Sequence, residues 1–159
     1  MTIPFENRGG AAVGFVADLD AVTAASVIYL RMWCNGPDTQ ACVSNDLAAT
    51  LGVGRGRKAV QAFDELCRIC ARHGRRPLMR HAVTCKCVGA DEACFGNFVA
   101  IAAEGDRDDA MLMATLLVRP DVAPLVVSLA AEFGLALMQM NLSAPREIAG
   151  HRDVPVAYH

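Results

Sequence analysis

Residues 53–74 read VGRGRKAVQAFDELCRICARHG. Ala59, Val60, Phe63, Leu66, Cys67 and Cys70 recur at steps of three and four, so they share one side of a 3.6-residue helix. Arg57, Lys58, Arg68 and Arg72 fall mainly on its other sides, and Gly74 supplies a stop. A helix with one apolar stripe must bury it against other helices or a sheet, and the surrounding sequence decides which.

Helical signals extend in both directions. Asp18 and Asp20 are placed to cap a helix over LDAVTAASVIYLRMWCNG, in which Leu19, Val22, Ala25 or Ser26, Tyr29 and Trp33 repeat and Gly36-Pro37 stops it. Residues 37–44 read as a loop, after which Ser44 or Asn45 caps a short helix, DLAATLG. On the other side, 75–90 is irregular, with room for a small hairpin. Asp91 and Glu92 suit the start of a helix ending at Gly105. Asp106 caps a further helix that stops near Pro120, and Asp121 caps a last one to about Met140. Asp106, Asp108 and Asp109 are then first-turn residues, not a cation site.

The expected fold is mainly α: a compact bundle of about five or six helices with an irregular Cys/His-rich, metal-binding loop. Composition agrees, since 53% of residues are hydrophobic and only 6% aromatic, a balance that favours helices packed on aliphatic and small side chains. The 159 residues suit one domain over 17–140, with the cluster at 67–94. Residues 1–16 lack periodicity, carry Gly9, Gly10 and Gly14, and read as a flexible arm; 141–159 reads as a loose tail. The longest apolar run, 122–140, contains Pro124, Glu132 and Gly134 without basic flanks. It reads as a buried or interface helix, with no membrane partner, and the N-terminus lacks the pattern of a signal peptide. The expected location is the cytoplasm, where seven cysteines would be thiols or metal ligands.

Those cysteines are unevenly spread. Residues 67–87 hold four of the seven and two of the four histidines. His81, Cys85, Cys87 and Cys94 form the best candidate tetrad for one structural zinc per chain, because thiolates and imidazole are its preferred donors. Cys67 and Cys70 are second-choice ligands: positions i and i+3 share a helix face, but both also suit core packing. An iron–sulfur cluster fits the spacing less well. Cys34 and Cys42 lie apart and read as structural.

Charge is segregated too. From Arg55 to Lys86, nine basic residues face two acidic ones, while the rest of the chain carries six basic and fifteen acidic. Arg55, Arg57, Lys58, Arg68, Arg72, Arg75, Arg76 and Arg80 are the candidate nucleic-acid-binding residues, for DNA before RNA. Residues 46–66 resemble a helix-turn-helix, with Leu47, Ala48 and Leu51 before the turn at Gly52 and a longer helix after it. They depart from the motif because the second apolar run starts late, at Ala59, and Gly54 and Gly56 weaken the helix start. GVGRGRKA is no phosphate loop, having Arg57 before Lys58 and Ala59 after it.

No catalytic residues stand out. No HExxH or GxSxG motif occurs, nor the His-x-Glu with Pro-Cys-x2-Cys of zinc deaminases. The expected function is therefore a zinc-stabilised nucleic-acid-binding protein, such as a small bacterial-type transcriptional regulator. The alternatives are a non-enzymatic adaptor that binds an acidic protein surface or docks through its apolar C-terminal helices with Met111, Met113, Met138 and Met140, and a thiol or metal sensor. A homo-oligomer is compatible with either.

Overall fold

The computed structural model describes residues 9–142. Six helices are present among them: α1 (Ala21–Trp33), α2 (Pro37–Leu51), α3 (Val53–His73), α4 (Ala90–Glu104), α5 (Arg107–Leu117) and α6 (Ala123–Leu142). Two short strands, β1 (Ala12–Phe15) and β2 (Cys87–Gly89), pair antiparallel. The chain is thus mainly helical, as the periodicity requires, with a small two-stranded sheet beside the bundle.

The apolar run at the C-terminal end becomes the central helix. α6 packs against α4, α3, α1, α5 and α2, burying Val126, Val127, Ala130, Phe133 and Leu137. It is the one helix of the described residues long and apolar enough to cross a membrane. Its contacts on several sides account for that composition. Phe133 stacks on Phe63 of α3 with ring centroids 4.3 Å apart, and Trp33 meets the edge of Phe63 at 5.5 Å. Small residues set the closest approaches: a Cβ on Gly134 would lie 2.7 Å from Ala103 Cβ, and one on Gly96 2.8 Å from Thr23 Cγ2.

Three local readings change. Residues 37–44 are helix, not loop: Pro37 occupies the first position of α2, where its missing N–H and fixed φ are an advantage. Gly36, at φ +126°, makes the corner, so Gly-Pro both ends α1 and begins α2. The link from α2 to α3 is the single residue Gly52, at φ +88°, and α3 starts at Val53 instead of late. Gly56 is the reason: its backbone presses on α2, and a Cβ there would come within 2.7 Å of Ala48 Cα. Finally, residues 12–15 form β1, though they carry no periodicity to announce it. A strand of four residues is too short to show a pattern, and its pairing partner lies more than seventy positions away. Residues 1–8 and 143–159, most of the expected arm and tail, lie outside the described residues. A smaller difference is that Asp121 belongs to a 3-10 turn (Pro120–Val122) preceding α6.

The two glycines at the start of α3 should respond oppositely. Gly56→Ala forces α2 and α3 apart and is expected to destabilise by about 1–3 kcal/mol in urea unfolding. Gly54 has nothing within 4 Å of its Cβ position, so Gly54→Ala is expected to be neutral or stabilising, by up to about 1 kcal/mol.

Candidate functional site

The irregular segment between α3 and α4 is held by two ion pairs, both made by acids in the first turn of α4. Arg31 lies on the inner face of α1, one turn beyond Val27, and is only 2% exposed. Its Nε donates to Glu92 Oε2 at 2.5 Å and its Nη2 to Oε1 at 2.9 Å. Its remaining donors reach the segment itself: Nη1 bonds the carbonyl of Cys85 at 2.7 Å and Nη2 that of Cys87 at 2.6 Å. Glu92, fully buried, also accepts from the backbone N–H of Gly89 at 2.9 Å and of His81 at 3.2 Å. Two carboxylate oxygens and one guanidinium therefore tie α1, α4 and four points of the segment together. Buried charge is tolerated because every lone pair has a donor.

Burial pushes the Glu92 carboxyl upward, but Arg31 and the N–H groups of Gly89 and His81 outweigh it and hold it below its ordinary value of 4.5. Arg31 is driven the other way, its charged form favoured first by the hydrogen bonds to Glu92. The second pair joins Arg76 to Asp91 in fork geometry, at 2.6 and 2.5 Å, and Asp91 also accepts from Met79 N–H at 2.8 Å. Gly9 packs directly against this pair, where a side chain would collide with it.

The cysteines fall into separate environments. Cys85 and His81 meet: His81 Nδ1 is 3.4 Å from Cys85 Sγ, and Nε2 is 2.7 Å from the carbonyl oxygen of Gly10. A carbonyl only accepts, so Nε2 carries the proton and Nδ1 is turned to the sulfur. The hydrogen bond shared with His81, together with one from the Cys87 backbone, lowers the Cys85 thiol below its ordinary value. His81 is raised by the same bond and by Gly10. Cys87 is on β2 and Cys94 on the half-buried side of α4, with its thiol pushed up by burial. Among the described residues, no group of three or more His, Cys, Asp or Glu side chains comes together in a way that could hold a metal ion. The tetrad of His81, Cys85, Cys87 and Cys94 is thus not assembled as a ligand set; His81 and Cys85 alone are paired.

Cys67 and Cys70 sit on the inner side of α3, in line with the core reading, and burial pushes Cys70 up to about 12 and Cys67 well above its ordinary value. Cys34, set apart by the sequence, joins them on a cavity of about 160 Å³ walled by Leu30, Leu78 and Phe95.

Of the basic candidates, Arg55, Arg57, Lys58, Arg68 and Arg72 are exposed on α3; Arg57, Arg68 and Arg72 lie opposite its buried residues, while Arg55 and Lys58 border a cleft beside Glu132 and Gln139 of α6. Arg68 pairs with Asp64 at 3.0 Å. Arg75 bonds the carbonyl of Thr115, Arg80 that of Leu78, and Arg76 is taken by Asp91. Among the described residues, Arg55, Arg57, Lys58 and Arg72 have no ion pair or side-chain hydrogen bond.

Comparison of the chain with known protein families, with curated proteins and with solved structures finds no match. The geometry alone therefore carries the functional reading. It offers two features of different chemistry: a basic helix face and a hydrogen-bonded thiol.

Sequence reasoning missed Arg31 and gave Glu92 only a capping role. The signal was the helical step: Val27, Leu30 and Arg31 fall on the same inner face, and a charge there demands a partner. Glu92→Gln leaves Arg31 buried and unpaired, with an expected cost of about 3–5 kcal/mol at neutral pH. Because the Glu92 carboxyl is depressed, its contribution is complete above 4.5 and is lost as pH falls through the lower folded value. Urea unfolding as a function of pH should therefore show the wild-type and variant curves converging in acid. With ion pairs bracing the segment, a strong chelator is expected to leave the melting temperature unchanged; a fall of several degrees would instead reveal a stabilising metal.

Proposed function

We propose that the chain binds a nucleic acid, DNA before RNA, through the exposed face of α3, as a small transcriptional regulator would. The observation that carries this reading is the set of exposed cations on α3, four of which, Arg55, Arg57, Lys58 and Arg72, are free of ion pairs among the described residues. Free cations on a surface helix are available to phosphates, whereas paired ones are already screened. Arg55, Arg57 and Lys58 lie in the first two turns, where the helix dipole adds to their attraction for an anion. The α2–Gly52–α3 hairpin holds that end fixed against the bundle, although its single-residue link is shorter than the turn of a helix-turn-helix. Zinc is not part of this proposal, because Arg31–Glu92 and Arg76–Asp91 supply the bracing for which a metal was expected.

A second reading is favoured by one observation. Leu112 and Leu116 of α5, one turn apart, are 68% and 66% exposed and would suit docking on a protein. Met111, Met113 and Met140 lean on the core and are less available for such a role. Retention of a protein partner after nuclease treatment would favour this adaptor.

Binding to duplex DNA, titrated with salt, tests the first reading. Four phosphate contacts give a slope of log K against log salt of roughly −3 to −4. Arg57→Ala with Lys58→Ala should reduce that slope by about 2, while Arg107→Ala on α5 should not change it. A flat response, or no binding at low salt, would sink the proposal.

A further inference from the structure

We propose that Cys85 is a nucleophilic modification site, activated by His81, that adds small apolar electrophiles of the α,β-unsaturated carbonyl class. This inference is independent of nucleic-acid binding.

Three observations converge on it. The sulfur is in hydrogen-bond contact with an imidazole nitrogen at 3.4 Å. That imidazole is fixed by a third group, the Gly10 carbonyl at 2.7 Å from Nε2, which sets the tautomer and aims Nδ1 at the thiol. A nucleophile, a base and a group orienting the base form the minimal arrangement for an activated cysteine. Third, Cys85 lines an open cavity of about 630 Å³, shared with Phe15, Val16, Ile28, Val83 and Lys86. β1 and α1 thus bring apolar walls beside Cys85, which borders an accessible space and not the core.

The walls select the electrophile. Hydrogen peroxide is small and polar and gains nothing from Phe15, Val16, Ile28 and Val83, whereas an enone or enal buries its hydrocarbon against them. Acyl transfer would need donors aimed at a developing oxyanion. Arg31, the guanidinium beside the cavity, directs its Nε and both terminal nitrogens at Glu92, Cys85 O and Cys87 O. Conjugate addition needs only a thiolate and a proton donor. His81 Nδ1 takes the proton from the thiol, and Sγ forms a bond to the β-carbon. The C=C π pair moves to the α-carbon through the enolate, and the imidazolium returns the proton there. The product is a thioether, with no leaving group, oxidant or reductant. Cys67 and Cys70 face no such partner: burial keeps them as thiols. Cys42 is exposed on α2 and serves as an internal reference.

The test uses the reduced full chain with a limiting amount of 2-cyclohexen-1-one, the adducts being mapped by peptide mass spectrometry over time. Cys85 is expected to be modified first, about tenfold or more faster than Cys42. His81→Asn should bring Cys85 down to the rate of Cys42. Val83→Asn, which adds no charge beside the thiol, should slow the enone more than it slows alkylation of Cys85 by iodoacetamide, and equal slowing of the two overturns the role of the apolar walls. Modification of Cys42 ahead of Cys85 overturns the proposal, as does an unchanged Cys85 rate in a folded His81→Asn chain. Rapid oxidation of Cys85 by hydrogen peroxide, with the enone passing it by, overturns the choice of electrophile. If His81→Asn does not fold, the wild-type ratio of Cys85 to Cys42 and the Val83→Asn result still decide.

Discussion

The segment between α3 and α4 is held chiefly by buried carboxylates, Glu92 with Arg31 at its inner end and Asp91 with Arg76 nearer α3. Between Gly74 and β2 it forms no helix and contributes few buried side chains, so hydrophobic burial does not fix its shape. A buried guanidinium that spends its donors on a carboxylate and two loop carbonyls does fix it, because each broken bond would strand a charge or a polar group away from water. A charge pair of this kind stabilises less than its Coulomb attraction suggests, since desolvation opposes it. Its effect is on specificity: one arrangement satisfies all the donors and acceptors, and few others do. Everything functional in the segment inherits that arrangement. The pairing of His81 with Cys85 requires His81 N–H on Glu92 and the Cys85 carbonyl on Arg31. β2, which brings β1 and the cavity walls to the thiol, begins with the Cys87 carbonyl on the same guanidinium.

Helical periodicity made α1, α3, α4, α5 and α6 legible, because each has an apolar stripe or run bounded by caps and glycines. α2 was half visible: DLAATL read as helix, but Pro37 was taken for a breaker, when a proline in first position can equally start one. β1 left no trace in local pattern, as its partner is far along the chain. The glycines of α3 were read as weaknesses of a recognition helix, when Gly56 is where α2 and α3 touch. Each of these misses concerns a residue whose role is set by a distant neighbour.

The Cys/His cluster shows the same limit in the chemistry. Spacing grouped His81, Cys85, Cys87 and Cys94 as four equivalent donors. Folding sorts them by environment: Cys85 towards a histidine and a cavity, Cys87 into a strand, Cys94 onto the half-buried side of α4. Cys34, distant in sequence, joins Cys67 and Cys70 because α1 and α3 are neighbours across that cavity. The basic face was the more legible feature, since exposed charge on a helix follows directly from the periodicity of its buried side. What sequence could not give was which cations are already paired, and it is this that singles out Arg55, Arg57, Lys58 and Arg72.

Hydrogen exchange of the backbone amides of His81 and Gly89 in the native protein tests the central claim most directly. Both donate to Glu92. If the buried pair pins the segment, these two amides exchange only through global unfolding, at rates matching the core amides of α4. Rapid exchange at His81 and Gly89 while α4 stays protected would show the segment opening by itself, and would contradict the account.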